Sequence, residues 1–247
     1  MRSILIGLTT AVLFAAAPAM ANPQGPYGGF SVGYAMSDAD TDVDVTNQDY
    51  FLSSSITDIE GNFPGNLDSD SFTFGGFFGW MWDMNGSASF GFEGDLNWMN
   101  ADESAVTMRE YPCCAPNTYT ISEGLERNWL ATLRARVGVD VSPQMFIYAT
   151  GGVAFGDADY RIAFEDTDEP IALTTGSNDD TLTGWTAGVG GEFYMANGVA
   201  IRAEYLYVDL GDVSAHTDLT GDGYNDVIRA NADVTDNIFR LAVVFQF

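Results

Sequence analysis

From residue 27 onward, apolar and polar residues alternate with period two in eight stretches, the pattern of strands whose two faces meet different surroundings. The stretches run over 27–37, 71–82, 87–99, 127–139, 144–156, 182–194, 199–209 and 236–247. Each spans about 11 to 13 residues, the length a tilted strand needs to cross a bilayer. Three connections are short and turn-like: DMNG (83–86), DVSP (140–143) and MANG (195–198). The other four, 38–70, 100–126, 157–181 and 210–235, are long. Short turns at one end and long loops at the other predict an eight-stranded antiparallel up-and-down transmembrane β-barrel.

Alternation by itself fits a soluble barrel too, and the character of the two faces separates the cases. Trp80, Trp82, Trp98, Trp129 and Trp185 all fall on the apolar face, near strand ends. With Tyr205, Tyr207, Phe193, Phe245 and Phe247 they form two aromatic girdles, as at the two surfaces of a membrane. The opposite face is small, polar and balanced in charge. It holds Glu93, Asp95, Glu192 and Glu204 against Arg134, Arg136, Arg202 and Arg240. Buried charges are tolerated when paired and hydrogen-bonded, so these eight are expected to form a network filling the lumen. The last strand, NIFRLAVVFQF, ends on an apolar face with Phe247, which is the expected signal to the outer-membrane assembly machinery.

The chain has 247 residues, nine of them Arg and none Lys, with 35 acidic residues and a formal net charge of −26. A hydrophobic content of 46% rules out a disordered chain despite that charge, and the acidity rules out nucleic acid as a partner. Residues 1–21 read as a cleaved signal peptide: Arg2, an apolar run over 4–17, then Ala19-Met20-Ala21 before Asn22. Residues 22–247 are then the mature barrel domain, with its termini in the periplasm and four acidic loops outside a Gram-negative cell. P-loop, HExxH and GxSxG patterns are missing, and the expectation is that the protein is no enzyme.

The segments YGGFSVGYA (27–35), GWTAGVGGEFYMANGVAIRAEYLYVDLG (184–211) and NIFRLAVVFQF (237–247) resemble the small outer-membrane β-barrel family of alphaproteobacteria, whose members are often described as porin-like or opacity-like. The resemblance implies the fold and the outer membrane; because the family includes surface antigens and haem-binding proteins, it also implies activities carried by loops. For haem, the chain offers His216 and scattered Tyr and Met residues.

The loop segments hold the remaining candidate chemistry. Residues 38–70 carry nine acidic residues and no base, and 157–181 carry eight against Arg161. Such runs are either a solvated face or a surface bridged by divalent cations to lipopolysaccharide phosphates. In DLTGDGYND, Asp218, Thr220, Asp222 and Asp226 fall at calcium-loop spacing around Gly223, although Arg229 stands where a bidentate Glu belongs. DTDVD (40–44) is a lesser match. No cofactor is expected apart from calcium at these residues. Cys113 and Cys114 are adjacent, which leaves a vicinal disulfide and an intermolecular bridge both open. His216 has no Ser placed with it and reads as a loop residue without a catalytic role. The function expected is that of a structural surface protein of the envelope, read as a monomer, with outer-membrane lipid and lipopolysaccharide as partners; the alternatives are a small porin and a haem- or ligand-binding surface protein.

Overall fold

The computed structural model describes residues 24–46, 50–63, 65–84, 86–167, 174–195, 198–219 and 226–247; residues 1–21, expected to be a signal peptide, lie outside them. Eight strands close into one barrel: β1 (Gly25–Thr46), β2 (Asn66–Asp83), β3 (Ala88–Glu110), β4 (Thr118–Ser142), β5 (Met145–Asp166), β6 (Thr174–Tyr194), β7 (Val199–Leu219) and β8 (Asp226–Gln246). Each strand pairs antiparallel with its chain neighbours, and β8 returns to pair with β1 from Tyr27↔Gln246 up to Thr46↔Val227. β2 ends and β3 begins on either side of DMNG, β6 and β7 on either side of MANG, whereas β4 runs through Ser142 and turns at Pro143-Gln144, later than the expected 140–143. Gly86 and Gly198 take the positive φ, 77° and 73°, that two of these turns require.

The strands are longer than the sequence reading expects, running from 18 residues in β2 to 25 in β4. Most of 100–126, 157–181 and 210–235 is therefore strand and not loop, and 38–70 contains the upper part of β1, a short helix and the start of β2. The physical reason is visible along β1. Phe30, Val32, Tyr34 and Met36 point outward, and the next outward positions are Asp38, Asp40, Asp42 and Asp44. Inward, the same strand passes from Ser31 and Gly33 to Ala39, Thr41, Val43 and Val45. Alternation continues, with its faces inverted. In the bilayer the barrel is apolar outside and polar inside; beyond it the outside is acidic and the inside apolar. About ten residues per strand lie above the switch, roughly 25 Å of height once a 35–45° tilt is allowed for.

This upper tier has an ordinary hydrophobic core, built from Val43, Leu67, Ile121, Ile162, Val213, Ile228 and their neighbours. Its open end is covered by α1 (Ser53–Gly61), the one helix among the described residues. Ile56 and Ile59, three apart, share a helix face and are buried in that core.

Two seams interrupt the upper tier. β6 and β7 are paired only up to Trp185↔Asp209, but Asn178 Nδ2 donates to the Ser214 carbonyl at 3.1 Å and keeps the strands adjacent. β2 and β3 are paired only up to Phe74↔Trp98. There β3 bulges between Trp98 and Ala101 and continues, bonded to β4, as far as Glu110↔Thr118.

Candidate functional site

The lipid-facing belt is set first. Trp80, Trp82, Trp98 and Trp185 are exposed on the outer surface, and Trp129 lies half-buried opposite Trp98. The rings pair within each girdle: Trp82 stacks on Phe90 at 5.2 Å, Phe74 on Trp98 at 5.7 Å, and Trp185 meets Tyr207 at 5.4 Å. Phe247 extends the outer face at the turn end, 77% exposed.

Inside that belt the structure brings all eight expected charged residues into one network. Glu93 is its hub, with ion-pair distances of 2.6 Å to Arg134, 3.2 Å to Arg136, 2.7 Å to Arg202 and 3.9 Å to Arg240. Arg134 also donates to Asp95 at 2.8 Å and Glu204 at 3.1 Å. Arg136 and Arg202 converge on Glu192 Oε1 at 2.7 and 2.9 Å, and Arg240 joins Glu204 to Asp95. Each of the eight is at most 7% exposed.

Residues the sequence reading did not assign complete the layer. The phenols of Tyr27, Tyr148 and Tyr194 donate to Glu93, Glu204 and Glu192 at 2.9, 2.7 and 2.5 Å. The Arg136 guanidinium lies 3.7 Å from the centroid of the Tyr148 ring and that of Arg202 lies 4.3 Å from Phe77. Inward glycines make the room. A Cβ on Gly79 would come within 2.4 Å of the Tyr27 ring, and one on Gly190 within 2.4 Å of the Tyr148 hydroxyl. The signal for these tyrosines was their inward parity opposite glycine-rich strands.

The network is closed on both sides. Toward the turns, Phe77, Met81, Phe146, Tyr194 and Val244 pack together as an apolar floor. Above it, Thr132 on β4 still belongs to the network, donating to Asp95, and the inward residues that follow on β4, β7 and β8 are Leu130, Leu206 and Ile238, all buried. Over these lies a second ion pair, Arg127 Nη1 and Nη2 to the two oxygens of Asp236 at 2.6 and 2.8 Å. The sequence reading missed this pair because Asp236 sat at a strand boundary.

In the upper tier the acids within the core are held by neutral donors. Glu123 is buried and accepts from Tyr160 at 2.8 Å and Thr41 at 3.2 Å. Burial pushes its carboxyl up to about 7, and the two hydroxyls offset only part of that shift. The covering segment is tied down at its ends. Tyr50 and Tyr111 donate to Asp166, Tyr119 donates to Asp58, and Asp226 accepts the Tyr50 and Phe51 amides at 3.0 and 3.3 Å. Although burial opposes ionisation of Asp58, the Tyr119 hydroxyl and the Arg109 guanidinium hold it below the usual carboxylate range.

The calcium candidates are not brought together where they are described. Asp218 is exposed on the outer face of β7, whereas Asp226 is buried inside β8, bound to backbone amides. Thr220 and Asp222 lie outside the described residues. In DTDVD the three aspartates line the outside of β1. His216 is a strand residue and not a loop residue, exposed on β7 and paired across from Arg229. Cys113 and Cys114 form a vicinal disulfide in the turn between β3 and β4, with Ser55 Oγ 3.6 Å from Cys113 Sγ.

A closed eight-stranded barrel with an aromatic-rimmed apolar exterior and a polar, charge-paired interior defines a transmembrane β-barrel of the outer-membrane class. The family model described as "Outer membrane protein beta-barrel domain" matches residues 7–247, and the chain belongs to that family. It is similar to the 31 kDa outer-membrane immunogenic protein of Brucella melitensis, 42% identical over 83 residues covering 34% of this chain and 33% of that protein. It is similar to the 22 kDa outer membrane protein of Rhizobium leguminosarum bv. viciae, 31% identical over 59% of this chain and 57% of that one. The 25 kDa outer-membrane immunogenic protein of Brucella melitensis is 28% identical over 74% of this chain and 69% of its own length. The match thus spans a third of the first of these relatives and just over half of the second. Among solved structures, the outer membrane protein OprG of Pseudomonas aeruginosa shares the fold at a TM-score of 0.50 with 12% identity, over 93% of this chain and 99% of that one. The protein is an outer-membrane barrel, and these relatives are named as membrane or immunogenic proteins, not as enzymes.

Proposed function

We propose that the protein is a structural surface protein, in which a sealed membrane barrel anchors a rigid acidic β-tier outside the cell, with the termini and short turns in the periplasm. The observation that carries this reading is the stack of closed layers in the lumen: an apolar floor, the eight-residue ionic network, an apolar layer and the Arg127–Asp236 pair. An eight-stranded barrel has an interior just wide enough for side chains, and here they fill it. The orientation is supported by the location of the acid, since the end with the long strand extensions and outward acids is the one that suits the outer surface.

Purified protein in planar bilayers tests the seal. The reading expects no steady single-channel current, and stable conductance steps would establish a small porin instead. Protease added to intact cells tests the orientation through cleavage near the β1–β2 and β7–β8 connections. Contact with lipopolysaccharide belongs to the same proposal. Outward acids face one another across strands just above the belt, as Asp38↔Asp68, Asp40↔Asp233 and Asp102↔Glu126. Like charges directly opposed are unfavourable. Divalent cations shared with lipid phosphates relieve that repulsion, and chelation should weaken lipopolysaccharide retention on the purified barrel.

A further inference from the structure

We propose that the free edge of β3 above the membrane, residues 101–108, docks an extended basic segment of a partner polypeptide by strand addition. The proposal rests on the surface reading above, which places this edge outside the cell, and names the kind of partner the tier takes.

The pairing defines the edge. Above Trp98, β3 is bonded to β4 from Ala101↔Arg127 to Glu110↔Thr118, while no pairing or backbone hydrogen bond joins it to β2 among the described residues. β2 meanwhile stays with β1 up to Asp40↔Asn66. The bulge between Trp98 and Ala101 lies where the strands part. An edge of this kind presents a row of backbone donors and acceptors, and proteins usually guard it with Pro, Lys, a covering element or brevity. Residues 101–108, ADESAVTM, contain neither Pro nor Lys.

Side chains beside the edge set the chemistry of what it takes. Val106 and Met108 are 67% and 68% exposed, the two large apolar residues on this outer stretch of β3, and their β4 partners are Ser122 and Thr120. Asp102 and Glu110 flank them on the same face, Glu103 lies beside the seam, and Asp68 and Asp70 stand on the outer side of β2. A strand laid along β3 in register therefore meets Asp102, Ser104, two apolar side chains and then Glu110 on alternate residues, while Arg109, between Met108 and Glu110, is already paired with Asp58 of α1. Charge selects the occupant. A second copy of this chain carries the same net −26 and is repelled, whereas a segment with Lys or Arg at its ends and apolar residues at alternate central positions is complementary.

The test uses the full protein in detergent or nanodiscs and a labelled nonapeptide, Lys-Thr-Val-Thr-Val-Thr-Ser-Thr-Lys, at low salt. Binding is expected, with slowed hydrogen exchange at the backbone amides of residues 101–108. The same peptide methylated at every interior amide keeps its charges and side chains but donates nothing to a ladder; it should bind at least tenfold more weakly. So should the version with Glu in place of Lys. The double variant Val106→Asp/Met108→Asp, at two exposed positions, should keep the heat-sensitive gel mobility of the folded barrel and lose binding by a similar factor. Equal binding of the methylated peptide, protection confined to other strands, or no binding of the parent peptide would each overturn the proposal. None of these results bears on the seal or the orientation, which conductance and cell-surface proteolysis read separately.

Discussion

Arg127 and Asp236, on β4 and β8, form a two-pronged ion pair at 2.6 and 2.8 Å with neither side chain more than 1% exposed. Ser37 on β1 donates a further 2.6 Å hydrogen bond to Asp236. The pair crosses the lumen where the outer face turns from Met36 to Asp38, so it ties together the strands at the level where the surroundings change from lipid to water.

Breaking this pair leaves one charge buried without its counterpart, which costs on the order of 3–5 kcal/mol. Arg127→Ala should therefore lower the urea midpoint of the lipid-embedded barrel sharply. Arg161→Ala, which removes an exposed pairing with Glu126, should leave the midpoint nearly unchanged. Replacing both Arg127 and Asp236 by apolar residues of similar volume should recover much of the loss, and a double-mutant cycle measures how much.

Glu93 touches all four arginines of the eight-residue network, whereas each of the other three carboxylates in it has two guanidinium partners. Glu93→Ala is expected to destabilise more than Asp95→Ala or Glu192→Ala, and brief current openings should appear in planar bilayers where the native barrel is silent. Equal unfolding midpoints for the three variants would mean that charge is shared evenly across the network.

Glu123 gives the upper tier a pH dependence. Its folded pKa is raised from 4.5 to about 7, so the neutral form suits the apolar chamber. A raised carboxyl contributes its stability below the unfolded value and loses it as pH climbs through the folded value. Stability should thus decline between pH 4.5 and about 7. Glu123→Gln should flatten the profile in that window, seen as reduced change in protease sensitivity near Tyr160 and Thr41. An unchanged slope would place the titration elsewhere.

Asp226 faces inward and accepts two backbone amides, so its role is in fastening the covering segment. Asp226→Asn weakens a charge-assisted acceptor and is expected to cost about 1–2 kcal/mol equally with and without calcium. It should also speed hydrogen exchange at Tyr50 and Phe51. A loss seen only in the presence of calcium would return Asp226 to the set of metal ligands.

What the sequence determined by itself is the membrane half of the molecule. Period-two alternation, aromatic residues at strand ends and four Arg against four carboxylates on the small face follow from one requirement, that lipid outside and a filled lumen inside impose opposite chemistry on adjacent residues. That requirement is local to each strand, so Glu93, Arg134, Arg202 and Arg240 could be assigned to the lumen without knowing their partners. Which carboxylate meets which guanidinium depends on register across the barrel, and only the closed structure sets it. The upper half escaped the sequence for a related reason. Asp38, Asp40, Asp42 and Asp44 form an acidic run that resembles a solvated loop, and the small inward residues between them are too weakly apolar to mark a core alone. Strand pairing from β8 and β2 decides that Ala39, Val43 and Val45 are enclosed. Asp218 and Asp226 show the same limit at short range. Eight positions apart in a sequence motif, they stand on opposite faces of paired strands, because a hairpin separates by parity residues that spacing along the chain appears to bring together.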